Sequence, residues 1–112
     1  MWIFCRYGFF SIAVSDDPDY VMVRARKLDH LLALQKRFLV DAAGEIRTWK
    51  NRDYKYRIII PKASWVVIAA ELANEQTWSN FKNETARFKG SGDYEYLEAL
   101  HDVWEDMYKI QQ

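Results

Sequence analysis

The spacing of apolar positions switches between period two and a helical period three times in this chain, and each switch marks an element. Residues 2–14, WIFCRYGFFSIAV, are apolar on both faces: Ile3, Cys5 and Tyr7 on one side, Trp2, Phe4 and Arg6 on the other. This predicts one long strand, central or covered on both sides. Gly8 marks a bend or a bulge that can swap the faces beyond it. Ser15-Asp16-Asp17-Pro18-Asp19 is a turn by composition. Tyr20 to Arg26 reads as a second strand, with Val21, Val23 and Ala25 toward a core and Met22, Arg24 and Arg26 away from it.

From Lys27 to Leu39 the period becomes helical, with Leu28, Leu31, Leu32, Leu34, Phe38 and Leu39 in one broad stripe. Asp29 at its start and Lys36-Arg37 at its end suit the helix dipole. Asp41-Ala42-Ala43-Gly44 closes it, with Gly44 as the cap. Residues 45–62, EIRTWKNRDYKYRIIIPK, then predict a hairpin. Its turn is Lys50-Asn51-Arg52-Asp53, and its second strand, Tyr54 to Ile60, is rich in residues that fit a pleated, packed surface. That strand is expected at the centre of the sheet. Pro61, which has no N–H to donate, ends the ladder.

Ala63 to Glu75 predicts a second helix, with Trp65, Ile68, Ala69 and Leu72 on its inner face. Gln76 to Asn80 is a connection. Phe81 to Phe88 is a short helix ended by Gly90-Ser91-Gly92. Asp93 caps a last helix, Tyr94 to Ile110. Tyr96, Leu97, Leu100, Val103, Trp104, Met107 and Ile110 form its expected buried stripe, with Glu95, Glu98, Asp102, Glu105 and Asp106 mainly on the other side. The order β-β-α-β-β-α-α-α predicts a single α+β domain over residues 1–112. It would hold a four-stranded, mainly antiparallel sheet with helices on one face, leaving the other face open or used for binding.

Composition adds three points. Aromatics reach 16% of 112 residues, enough to fill a small core with rings and leave some exposed for stacking or for a partner. Net charge is zero but unevenly spread: residues 21–62 hold eleven Lys/Arg and four Asp/Glu, and residues 93–112 hold one Lys and six Asp/Glu. Cys5 is the only cysteine, which excludes an internal disulfide and a Cys-based zinc site and favours a reducing, cytoplasmic home. The first residues lack the features of a signal peptide, and no run approaches the roughly 20 apolar residues of a membrane span.

Catalytic motifs are missing: no phosphate-binding glycine loop, no nucleophile elbow, no zinc-protease signature. His101 and Glu105, four apart on one helix face, have a spacing that can share a metal, but such pairs are common on acidic helices. His30 reads as a solvated or capped helix residue, and Cys5 as an inert core thiol. Ser11, Ser64, Ser79 and Ser91 have no local activating base. No cofactor is implied.

The basic strands carry the most distinctive chemistry. Parity alone puts Arg24 with Arg26, Arg47 with Trp49, Lys55 with Arg57, and Arg6 with Trp2 and Phe4. If the four sets share a face, Arg6, Arg24, Arg26, Arg47, Lys55 and Arg57 surround flat rings, with Trp49 placed to stack or anchor. The same residues suit two kinds of partner. Trp, Tyr and Arg dominate protein–protein hot spots, so the first reading is a monomeric or homodimeric protein-interaction or inhibitor module, without catalysis. Its acidic last helix would dock on the basic face of another copy, or imitate a phosphate backbone. The alternative is single-stranded nucleic acid, with cations for phosphates and rings for bases. A small enzyme of unknown reaction is the third.

The opening Met1-Trp2-Ile3-Phe4 and Tyr7-Gly8-Phe9-Phe10-Ser11, the Val23-Arg24-Ala25-Arg26 strand, Asp53-Tyr54 with Tyr56-Arg57, Pro61-Lys62, and the closing Ala99-Leu100-His101-Asp102-Val103-Trp104 with Met107-Tyr108 form a set. In these the chain resembles a group of short uncharacterised proteins of bacteria and their phages, over its whole length. The resemblance implies a compact protein that travels on mobile DNA and gives some weight to the inhibitor reading. It assigns no activity and no catalytic residue.

Overall fold

The computed structural model describes residues 1–38 and 44–111. Leu39 and the predicted helix closure at Asp41-Ala42-Ala43 lie outside the described residues. The chain is α+β, with the elements β1 (Trp2–Cys5), β2 (Gly8–Val14), β3 (Tyr20–Ala25), α1 (Leu28–Phe38), β4 (Arg47–Thr48), β5 (Tyr56–Pro61), α2 (Lys62–Asn74), α3 (Phe81–Lys89), a 3-10 turn (Gly90–Asp93) and α4 (Tyr94–Tyr108). They fall into two compact units, Met1–Thr77 and Trp78–Gln112.

The sheet is antiparallel and has five strands, in the order β1-β2-β3-β5-β4, rather than the four expected. The extra strand comes from residues 2–14, which fold back on themselves: Cys5 pairs with Gly8 across a two-residue turn at Arg6-Tyr7. A strand apolar on both faces looks continuous in sequence because nothing in its pattern marks so short a turn. β3 is therefore the middle strand, β5 lies next to it, and the edges are β1 and the two-residue β4.

Gly8 makes the fold-back possible. Its φ is 153°, and a Cβ placed there would sit 2.3 Å from Cγ of His30. His30 is not solvated as expected but only 3% exposed, and its Nδ1 accepts the Phe9 N–H at 3.3 Å. The imidazole thus satisfies a strand donor and seats α1 on the β1–β2 hairpin. Cys5 is half-buried, with its Sγ donating to the Gly8 carbonyl at 3.5 Å.

One face of the sheet builds the core. Phe10, Ile12, Val21, Val23, Ala25, Ile58 and Ile60 meet Leu31 and Leu34 of α1 and Trp65 and Ile68 of α2. The Phe, Val, Leu and Ile side chains among them each contribute about 1.5–3 kcal/mol on burial. Both helices of this unit therefore cover the same face. Leu28 and Leu32, assigned to the inner stripe of α1, are instead 39% and 46% exposed at its margin.

Beyond the end of α2, Glu75 gathers a polar knot. It accepts the Tyr7 hydroxyl at 2.8 and 2.9 Å, Arg37 Nε at 2.8 Å and Arg6 Nη2 at 3.5 Å. Burial first, and the hydrogen bond to Glu75 second, hold the Tyr7 phenol above its ordinary ionisation range.

In the second unit, Asn80 caps α3 by accepting the Asn83 N–H at 2.9 Å, and Gly90 ends it at φ 63°. Asp93 caps α4, as its position predicts, by accepting the Tyr96 N–H at 3.3 Å. Tyr96 and Leu100 of the expected stripe are buried, whereas Val103, Trp104, Met107 and Ile110 are exposed.

Two outcomes follow from these contacts. Gly8→Ala should cost about 3 kcal/mol or more in urea unfolding, since it adds both a clash and a disfavoured φ. The folded chain keeps the Tyr7 proton that the unfolded chain releases near pH 10.0. That contribution is complete below this pH and is lost as pH rises through the higher folded value. Thermal melts of the wild type should accordingly decline more steeply in strong alkali than those of Tyr7→Phe.

Candidate anion-binding face

Residues directly opposite in adjacent strands point to the same side of a sheet. Here Trp2 lies opposite Ser11, Ser11 opposite Arg24, Arg24 opposite Arg57, and Arg57 opposite Arg47. One row therefore crosses all five strands on the face away from the core, and three neighbouring positions in it are arginines. Strands are about 4.8 Å apart, so the three arginine backbones span only about 10 Å. Like charges placed directly opposite each other are destabilising.

Rings next to the row hold the cations. The guanidinium carbons of Arg24 and Arg26 lie 4.8 and 4.7 Å from the centroid of Tyr54, and Arg26 is also 5.8 Å from Phe9. Phe9 stacks on Phe4 at 4.5 Å and meets Trp2 edge-on at 5.7 Å. Arg57 and Arg52 lie 5.0 and 5.4 Å from the Trp49 ring. Arg24 Nη2 donates to Ser11 Oγ at 2.7 Å, and Arg57 Nη2 donates to the Tyr54 carbonyl at 3.3 Å.

Charge is not neutralised within this group. Among the described residues, Arg24, Arg26, Arg47, Arg52 and Arg57 form no salt bridge. Burial, then the charges of Arg24 and Arg52, push the Arg57 guanidinium below its ordinary range, with Asp53 opposing them. The Arg57 Nε is buried without a hydrogen-bond partner among the described residues. Cation–π contacts contribute about 0.5–1 kcal/mol each at exposed sites, enough to hold the guanidinium groups in place but not to cancel their charge.

The structure thus gathers Arg24, Arg26, Arg47, Arg57 and Trp49. Arg6 does not join them: the turn at Arg6-Tyr7 breaks the strand parity and sends its guanidinium to Glu75. Lys55 is exposed just before β5, and its ammonium lies over Tyr56, a ring packed against the core. The residue missed in sequence is Tyr54, which joins the two halves of the cluster. Strict alternation from Tyr56 assigns it to the core face, but it precedes β5 and is free of that parity. Phe9 was hidden by the same fold-back that displaced Arg6.

Other candidate chemistry is less organised. His101 Nε2 is 3.6 Å from Glu105 Oε1, with both side chains more than half exposed. His30 accepts a backbone N–H in the core. Among the described residues, no helix is long and apolar enough to cross a membrane. Comparison with protein-family models, curated proteins and solved structures finds no match to this chain. Its function must be read from its own residues.

Screening should relieve the arginine row. Stability from urea titrations should rise between low salt and about 0.5 M NaCl, where the Debye length shrinks to a few ångströms. The rise should be smaller in Arg26→Gln.

Proposed function

We propose that this protein binds single-stranded nucleic acid on the sheet face that carries Arg24, Arg57 and Arg47. The observation supporting this is the row of three adjacent arginines, without carboxylate partners among the described residues and flanked by rings on both sides. A phosphate backbone supplies the missing negative charge, and displacing its counterions drives binding. Bases are flat and stack on aromatic side chains whatever their sequence. Trp49 and Trp2 offer 42% and 67% of their surface for this, beside Arg57 and Phe9 respectively.

An acidic protein surface would match the charge equally well. It would also bury the rings, but cations and flat rings side by side on one face match the repeating phosphate and base of a nucleic acid more closely. A duplex presents its phosphates but keeps its bases stacked on each other, so the single strand is the better match. The role is binding, with no reaction assigned to it.

Fluorescence anisotropy with short labelled oligonucleotides tests the proposal. Affinity should fall steeply with salt, and Arg26→Ala should reduce the slope of log K against log salt by about 0.7. Trp49→Ala should weaken binding by roughly 5- to 150-fold, the loss of one stacked base at about 1–3 kcal/mol. Duplex of the same sequence should bind less tightly. Absence of binding at low salt, or binding indifferent to both substitutions, would overturn the proposal.

A further inference from the structure

The apolar stripe of α4 outlasts its own packing. Tyr96 and Leu100 are 4% and 5% exposed, but one turn later Val103, Trp104, Met107 and Ile110 are 36%, 53%, 57% and 67% exposed. At 100° per residue Val103, Trp104 and Met107 continue the face begun by Tyr96 and Leu100, and Ile110 follows just past the end of the helix. The remaining arc is acidic, with Glu98, Asp102, Glu105 and Asp106. His101, Trp104 and Tyr108 stack their rings along one edge, at centroid spacings of 6.1 and 5.5 Å. An uncovered apolar strip beside a band of carboxylates is a docking surface for something apolar and basic.

Such a surface exists in the same molecule. The sheet face away from the core carries the arginine row together with Phe4, Phe9 and Trp2, and both helices of its unit lie on the opposite side. A sheet with helices on one face gains a further layer when a helix packs on the other. We propose that the last two turns of α4 dock on this sheet face of a second copy of the chain. The inference rests on the reading of that face as anion-binding. It adds a regulation: α4 and a nucleic-acid strand compete for the same arginines, so self-association and strand binding exclude each other.

Charge selects this pairing over the symmetrical one. Two α4 helices face to face would bring their carboxylate bands together, whereas α4 against the sheet sets carboxylates against unpaired guanidinium groups. Size limits its strength. Two helical turns bury less than the roughly 1,200–2,000 Å² of a standard stable interface, so a single contact gives weak, concentration-dependent association. Reciprocal exchange between two copies doubles the area.

Sedimentation equilibrium on the full chain tests this with two charge-reversed variants. One carries Asp102→Lys and Glu105→Lys, the other Arg26→Glu and Arg47→Glu, all at exposed positions. At low salt the wild-type mass should rise with concentration from one chain toward two, and return to one chain in high salt or with excess oligonucleotide. Each variant alone should remain at the mass of one chain, with circular dichroism confirming that it is folded. Mixing them should restore association, since opposite charges then face each other in both contacts. A wild type that stays a single chain at every concentration, or a mixture that does, would overturn the proposal. So would association that survives the sheet substitutions and is lost only with those on α4, which marks α4–α4 pairing. Oligonucleotide binding by the α4 variant separates the two readings. If it binds strands while the wild type never associates, docking falls and the strand reading stands. If charge-swapped mixing works but no strand binds, the strand reading falls and docking stands.

Discussion

Three arginines stand side by side on adjacent strands, and the rest of the sheet's outer face is arranged to tolerate them. Arg24, Arg57 and Arg47 repel one another across β3, β5 and β4, a placement that opposes folding. The chain offsets this without a salt bridge among the described residues, with the Asp53 charge favouring the Arg57 cation. Tyr54 lies under Arg24 and Arg26, Trp49 lies beside Arg57 and Arg52, and the Ser11 hydroxyl accepts from Arg24. Rings and a hydroxyl orient guanidinium groups but leave their charge available. A salt bridge would have removed the charge. The contrast lies within the same unit: Arg6 and Arg37 are both given a carboxylate, at Glu75.

The opposite face explains how the row is kept straight. A slip of one residue between strands would turn every side chain over. Phe10, Val23 and Ile58, each fully buried, lock the register of β2, β3 and β5 from the core side. The Gly8–His30 contact anchors β1 and β2 to α1. Hydrophobic packing on one side thus sets the spacing of cations on the other, and the site inherits the rigidity of the core.

Much of this was legible in the chain. Alternation in Tyr20 to Arg26 and in Tyr54 to Ile60 separates core positions from arginines, and the register keeps Arg24, Arg57 and Arg47 on one side. What sequence could not give lies where alternation stops. The two-residue turn at Arg6-Tyr7 turned one expected strand into two and moved Arg6 to the helix side. Tyr54 sits just outside β5, where parity has no force, and it became the ring shared by two arginines. His30 looked like a surface residue because helical periodicity says nothing about a backbone N–H seeking an acceptor. In α4 the stripe was read correctly as apolar, but a pattern cannot show whether a surface is covered.

On the proposed reading, the arginine row is an anion site that lacks a carboxylate of its own among the described residues. Heteronuclear NMR of arginine Nε–Hε and tryptophan indole signals, during titration with a short single-stranded oligonucleotide, tests it most directly. Saturable shifts are expected at Arg24, Arg26, Arg57 and Trp49, with Arg37 and Arg87 unmoved because each already holds a carboxylate. Shifts confined to Arg37 and Arg87, or no shift anywhere at low salt, would contradict it.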